Sequence, residues 1–180
     1  MTLFPFFEDI ENKSFLIVGG GKVAKEKKDK LSLFTDKITV VAENTELTGV
    51  HVIKRKFKES DIDAADVVIC ASDDNELNSH IAALCRKKNI PVNVADNPSL
   101  CTFIFPALIK QGDLTVGIAT AGKSPVYSAY IKKEFEKVIP DNTEKIIDEL
   151  WLLKNQLKYT VPKQSERAKI LKKKLSELFL

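Results

Sequence analysis

The stretch FLIVGGGKVAKEK, residues 15–27, decides the fold of this chain. Its first four residues form a continuous apolar run that ends in glycine, which is typical of a buried parallel strand. After the glycines, apolar residues recur at helical spacing among charged neighbours, namely Val23, Ala24, Leu31 and Phe34. A strand, a glycine turn and a helix in this order predict a βα unit in which the turn requires residues without a side chain.

The turn spells G-x-G-x-x-A, with Gly19, Gly21 and Ala24 at the fixed positions. The first glycine allows a sharp turn, the second lets backbone amides approach a pyrophosphate, and the alanine lets the helix pack closely on the sheet. The amides and the dipole at the helix start then hold the phosphates. We therefore expect a dinucleotide at this turn, and we interpret the nearby lysines as mostly a solvated helix face: Lys22, Lys25, Lys27 and Lys28.

An acidic residue after the second strand indicates which dinucleotide is bound. The apolar segment ITVVA, residues 38–42, predicts that strand, and Glu43 and Asn44 follow it. In this fold an acid at that place binds the ribose hydroxyl of NAD, whereas an arginine accommodates the phosphate of NADP. No arginine follows the strand directly, so the sequence favours NAD; the alternative is that Glu43 is an exposed loop residue.

The rest of the first half continues the alternation of strands and helices. Segments 51–54, 66–72 and 90–95 are strand-like, and residues 75–88 form an amphipathic helix pattern. This order predicts an α/β fold with a Rossmann-like, doubly wound parallel sheet. Ser72 is the last residue of the segment 66–72 and Asp73 follows it, and we expect one of these two residues to face the cofactor.

The pattern changes after Asp96. The segments CTFIFPALI and LTVGIAT flank KQGD and predict a β-hairpin, and three helical segments follow it. We expect an NAD-binding domain over residues 1–97, a small α+β module of hairpin and helix over 98–140, and a C-terminal helical region over 141–180.

A second glycine site matches the phosphate-loop pattern G-x-x-x-x-G-K-S over residues 117–124. Two features oppose a nucleotide-hydrolysing enzyme. Gly117 lies inside the predicted strand, whereas the pattern needs a loop there. Pro125 begins a helix with Ser124 as its N-cap, so the Gly-Lys pair precedes the helix instead of entering it.

Composition excludes several classes of protein. The net charge of +3 is too small to argue for nucleic-acid binding. No apolar run approaches the length of about 20 residues that spans a bilayer, and the N-terminus lacks the basic region of a signal peptide. Cys70, Cys85 and Cys101 have no metal-site spacing and predict buried thiols in a reducing compartment. We expect a cytoplasmic protein without a metal site, because His51 and His80 also lack partners at ligand spacing.

Four segments in order resemble the family of siroheme-synthase dehydrogenases, that is, precorrin-2 dehydrogenases of which some are also sirohydrochlorin ferrochelatases. They are FPFFEDIENKSFLIVGGGKVAKEK, CASDDNELN, VNVADNPSLCTFIFPA and TAGKSPVYSAYIKKEFE. The likeness covers about residues 3–138. It implies NAD-dependent oxidation of the tetrapyrrole precorrin-2 to sirohydrochlorin, in a homodimer built through the hairpin module.

The resemblance also implies roles for individual residues. Asp96 occupies the place of the family's catalytic aspartate, and Ser124 matches a serine near the tetrapyrrole pocket. The backbone turn of Gly122 and Lys123 would then bind substrate carboxylates. Residues that fall where the family contacts the dinucleotide are Lys22, Val23, Glu43 and Asn44.

Other interpretations stay open at this point. Asp96 in the sequence ADNP also suits an Asx turn, and Ser124 also suits a helix N-cap. The enzyme could in addition insert iron or cobalt into sirohydrochlorin, and this would need Asp96 but not NAD. A non-catalytic module that senses NAD would need Gly19 and Gly21 but would tolerate loss of Asp96.

Overall fold

A five-stranded parallel sheet forms the first of two compact units, which ends at Pro106 and also includes residues 121–123. The computed structural model describes residues 2–179. The strands are Phe15–Val18 (β1), Ile38–Val41 (β2), His51–Ile53 (β3), Val67–Cys70 (β4) and Val92–Val94 (β5). Their order is β3-β2-β1-β4-β5, with β1 paired in parallel to both β2 and β4. The predicted α/β, Rossmann-like sheet is confirmed.

Two helices cover opposite faces of this sheet, because successive side chains of a strand point to opposite sides. Phe15 and Ile17 of β1 pack in one core with helix α1, Lys22–Leu31. Leu16 and Val18 pack in the other core with helix α2, Asn75–Lys87. Short 3-10 helices at Glu59–Ala64 and Pro98–Leu100 complete the unit. Every residue of β1 is buried, as the continuous apolar run predicted.

Residues 101–106 differ from the prediction that they begin the hairpin. This segment is not a strand, and Phe103 and Phe105 instead pack against the core that contains Ile17. The side chain of Asn93 in β5 donates a hydrogen bond to the carbonyl of Phe103 at 3.0 Å. The aromatic residues that suited a strand therefore cover the sheet of the first unit, and this unit extends past residue 97 to Pro106.

The second unit contains residues 107–120 and the chain from Ser124 onward. The antiparallel hairpin is confirmed, but its strands are shorter than expected: Ala107–Gln111 (β6) and Leu114–Ile118 (β7). Three helices follow: Pro125–Val138 (α3), Thr143–Thr160 (α4) and Gln164–Leu178 (α5). The hairpin, α3 and the last two helices form one unit, where the sequence suggested a separate region from residue 141.

Within residues 2–179, none of the helices is long and apolar enough to span a bilayer.

Candidate functional site

The glycine turn after β1 is packed tightly against the neighbouring strand end. Gly19 has a φ of +121°, and a β-carbon at this position would lie 2.2 Å from the carbonyl oxygen of Ala71, which follows β4. Gly20 is also close to the loop after β2, since a β-carbon there would lie 2.5 Å from the β-carbon of Thr45. The hydroxyl of Thr45 also donates to the carbonyl of Gly20 at 3.1 Å. These contacts fix the turn as a rigid element.

Gly21 differs from both, because a β-carbon there would meet no atom within 4 Å. Gly21 is the N-cap residue of α1, and no side chain caps the first amides of this helix. The space in front of these amides is therefore open, as binding of a pyrophosphate requires. Ala24 is fully buried against the sheet, in agreement with the close packing expected at this position. The residues present fit a dinucleotide.

The other strands of the sheet end at the same edge, because all five run parallel. Glu43 and Asn44 are exposed in the loop after β2. Ser72 follows β4 and is half-buried, and its hydroxyl donates to the Oδ1 atom of Asn78 at 2.8 Å. The hydroxyl of Ser72 is therefore already engaged at the start of α2, whereas the exposed side chain of Glu43 forms no hydrogen bond or ion pair within residues 2–179.

Asp96 lies just beyond the end of β5, with its side chain exposed. Its φ of +58° is a left-handed conformation, which aspartate tolerates better than most residues. Within residues 2–179 no hydrogen bond to its carboxylate is found, so the bond that defines an Asx turn is not formed. The carboxylate is thus presented at the edge of the sheet where open α/β folds bind ligands.

The interpretation of the α1 lysines as a solvated face is wrong for Lys28, whose side chain is 16% exposed, and for Lys27. The side chain of Lys27 is half-buried, and Nζ lies 4.4 Å from the centroid of the Phe105 ring. Burial is the main cause that lowers the pKa of Lys27, followed by repulsion from Lys30. The sequence contained a signal for this burial, because Lys27 is spaced three residues after Ala24 and four before Leu31, both buried.

The turn that contains Gly122 and Lys123 has an unusual backbone. Ala121 and Gly122 both have positive φ angles, +54° and +79°. Alanine rarely adopts this conformation, and such strain often accompanies function. The next residue, Ser124, belongs to the second unit, where its hydroxyl accepts a hydrogen bond from the amide of Tyr127 at 3.2 Å. The expected N-cap of α3 is confirmed.

The three cysteines fall into two groups. Cys70 and Cys85 are buried, and burial raises their thiol pKa values to about 12 and about 11. Cys101 is only half-buried, unlike the prediction, and its Sγ accepts a hydrogen bond from the amide of Val94 at 3.1 Å.

Over the described part of the chain, no three histidine, cysteine or acidic side chains are grouped as metal ligands.

Comparisons with known proteins agree with this geometry. A family described as "Putative NAD(P)-binding" matches residues 6–107. A siroheme synthase of Psychrobacter sp. (strain PRwf-1) is 34% identical over 191 residues, which cover 99% of this chain and 39% of the relative. A siroheme synthase of Thioalkalivibrio sulfidiphilus (strain HL-EbGR7) is 37% identical over 148 residues, 78% of this chain and 30% of the relative.

The chain therefore spans well under half the length of these two relatives. Among solved structures, "SirC, precorrin-2 dehydrogenase" has a TM-score of 0.75 at 22% identity. The match covers 95% of this chain and 88% of that one, and it establishes that the two share a fold.

Proposed function

Because this chain belongs to the NAD(P)-binding family, we propose that it is an NAD-dependent dehydrogenase that oxidises precorrin-2 to sirohydrochlorin. The observation that carries the proposal is the pair of features at the carboxyl edge of one sheet. Gly21 leaves open space before helix amides that no side chain caps, and Asp96 presents an exposed carboxylate with no hydrogen-bond partner among residues 2–179. Similarity to a siroheme synthase over 99% of the chain supports the choice of substrate.

We infer that the turn and the loop after β2 hold the cofactor. The amides of Lys22, Val23 and Ala24, together with Gly19 and Gly21, would bind the pyrophosphate. Glu43 would accept hydrogen bonds from the ribose hydroxyls, with Asn44 and Ser72 beside the cofactor. Since a carboxylate repels the phosphate of NADP, Glu43 favours NAD.

The oxidation removes two electrons and two protons from precorrin-2, as one hydride and one proton. When bound, the nicotinamide supplies the hydride acceptor. Asp96 serves as the general base that takes the proton, a role that typically contributes about 10²–10⁴-fold to the rate. The Asp96 carboxylate is exposed, so the proton can pass on to water.

We also assign substrate-binding roles to Gly122, Lys123 and Ser124, whose turn carries a backbone amide, an ammonium and a hydroxyl for the carboxylates of a tetrapyrrole. The homodimer expected from the resemblance is supported by exposed apolar side chains on α3. Val126 and Val138 are 82% and 72% exposed there, with Tyr127 and Tyr130 between them. Apolar patches of this kind mark protein interfaces.

An anaerobic assay tests the function. Precorrin-2 is supplied with and without NAD⁺, and the absorption spectrum is followed before and after addition of ferrous iron. We expect sirohydrochlorin only when NAD⁺ is present. In Asp96→Ala we expect turnover to fall about 100-fold or more. The affinity for NAD⁺, measured by calorimetry, should not change.

The outcomes separate the alternatives. Unchanged turnover in Asp96→Ala would remove the catalytic assignment. Iron insertion without NAD⁺ into sirohydrochlorin that is supplied directly would identify a chelatase. NAD⁺ binding without any turnover would favour a sensing module.

A further inference from the structure

The inward face of α1 carries a charge where the fold needs an apolar side chain. Ala24 and Leu31 are 0% and 6% exposed, and they line the face that packs on the sheet. Lys27 lies between them at helical spacing, a position that an amphipathic helix normally fills with an apolar residue. Its half-buried stem confirms that it shares this face.

The ammonium of Lys27 lacks the partners that its neighbouring lysines have. Lys25 and Lys28 pair with Asp29 at 3.1 and 2.7 Å, and Lys30 donates to the carbonyl of Pro106 at 3.3 Å. Among residues 2–179, Lys27 forms neither an ion pair nor a hydrogen bond; its contact is the face of Phe105. A ring face attracts a cation but does not replace a carboxylate.

The aromatic segment under this ammonium runs beside β5, because the carbonyl of Phe103 accepts a hydrogen bond at 3.0 Å from the side chain of Asn93, three residues before Asp96. Burial and Lys30 lower the pKa of Lys27, whereas Cys101 and Asp96 act in the opposite direction. A half-buried charge without a partner costs stability, and an apolar residue of similar volume would serve the fold at least as well. Perturbed charges of this kind cluster at functional sites.

We propose that Lys27 is a substrate-binding residue whose ammonium binds a carboxylate of the tetrapyrrole in the neighbourhood of Asp96. The inference rests on the proposed function. The substrate is chosen over the cofactor because the pyrophosphate already has the helix amides at Gly21, which need no basic side chain. A carboxylate also matches Lys27 because it supplies the missing charge and hydrogen-bond acceptor together.

Equilibrium binding tests this role without turnover. Uroporphyrin, a tetrapyrrole with carboxylate side chains, is titrated into the full chain and followed by fluorescence, and NAD⁺ affinity is measured by calorimetry. The variants are Lys27→Met, which keeps the apolar stem, and Lys27→Arg, which keeps the charge. Lys25→Met is the matched control, since Lys25 lies exposed on the same helix.

We expect Lys27→Met to bind uroporphyrin about tenfold more weakly, the size of one lost charged hydrogen bond. NAD⁺ affinity should stay within about twofold, and the melting temperature should not fall, because the variant removes a half-buried charge that has no ion-pair partner among residues 2–179. Lys27→Arg and Lys25→Met should bind uroporphyrin like the unmodified chain.

Wild-type affinity in Lys27→Met would overturn the proposal, and so would equal losses in Lys27→Arg and Lys27→Met, because shape would then matter instead of charge. Selective loss of NAD⁺ binding in Lys27→Met would assign Lys27 to the cofactor, and this result would also overturn the proposal. Turnover of precorrin-2 by the unmodified chain is measured in parallel. If the unmodified chain turns over precorrin-2, the contradicting results above reject only the role of Lys27. If the unmodified chain neither turns over precorrin-2 nor binds uroporphyrin, the proposed function is wrong.

Discussion

Gly19 and Ala71 bring the ends of two parallel strands so close that no side chain fits between them. A β-carbon on Gly19 would lie 2.2 Å from the Ala71 carbonyl oxygen, well inside van der Waals contact. The two residues are far apart in sequence, but each follows a strand, and β1 and β4 are paired. The start of the glycine turn is therefore held by packing, whereas Gly21 faces open space.

Gly19→Ala is expected to destabilise the protein by at least about 2 kcal/mol. The added methyl group collides with rigid backbone, and the φ of +121° is one that alanine avoids. Urea unfolding followed by circular dichroism measures the loss. A variant as stable as the unmodified chain would show that the strand ends separate easily.

Gly21→Ala is expected to leave the fold intact but to weaken NAD⁺ binding at least about tenfold. Its φ of −84° suits alanine, and the methyl group meets no protein atom. Poorer N-capping costs about 1 kcal/mol or less, whereas the methyl group occupies the space that the pyrophosphate needs. Calorimetric titration with NAD⁺, beside urea unfolding, checks both parts; unchanged NAD⁺ affinity would place the cofactor elsewhere.

Ser124→Ala is expected to weaken uroporphyrin binding more than NAD⁺ binding. It also removes the hydroxyl that accepts from the amide of Tyr127, so stability should fall by about 1 kcal/mol. Ser124→Thr keeps both the cap and the hydroxyl, and serves as the control. Equal losses for the two ligands in Ser124→Ala would reduce the role of this residue to helix capping.

The pair of Arg55 and Asp61 predicts a dependence of stability on pH. The guanidinium donates to both carboxylate oxygens, at 2.6 and 2.8 Å, and the carboxylate is 8% exposed. Arg55, aided by the amide of Lys58, lowers the pKa of Asp61 although burial opposes the shift. The pair therefore stabilises the fold above the unfolded pKa of about 3.9, and this contribution is lost as pH falls through the lower folded value.

Asp61→Asn should cost about 2 kcal/mol at pH 7 and should make stability less dependent on pH below about 4. Urea unfolding at a series of pH values measures both effects. Asp63→Asn is the matched control, because the Asp63 carboxylate pairs with Lys88 on the surface and such pairs contribute about 1 kcal/mol or less. If the free energies of unfolding of the Asp61→Asn variant and of the unmodified chain changed in parallel with pH, the prediction would be contradicted.

The sequence by itself determined the sheet and the place of the glycine turn. Apolar runs such as residues 15–18 and 67–70, separated by helical patterns, are local signals, and parallel strands of this kind have few alternative arrangements. The same local logic located the helix that begins at Pro125 with Ser124 as its cap.

Only the tertiary structure decided which faces these local elements cover. Residues 101–106 have the composition of a strand, yet Phe103 and Phe105 pack on the sheet, where they join the core that contains Ile17. Lys27 was interpreted as solvated, because charge pattern alone does not show that Phe105 comes to lie under its ammonium. Contacts between residues distant in sequence set burial, and burial separates an ordinary surface lysine from a candidate binding residue.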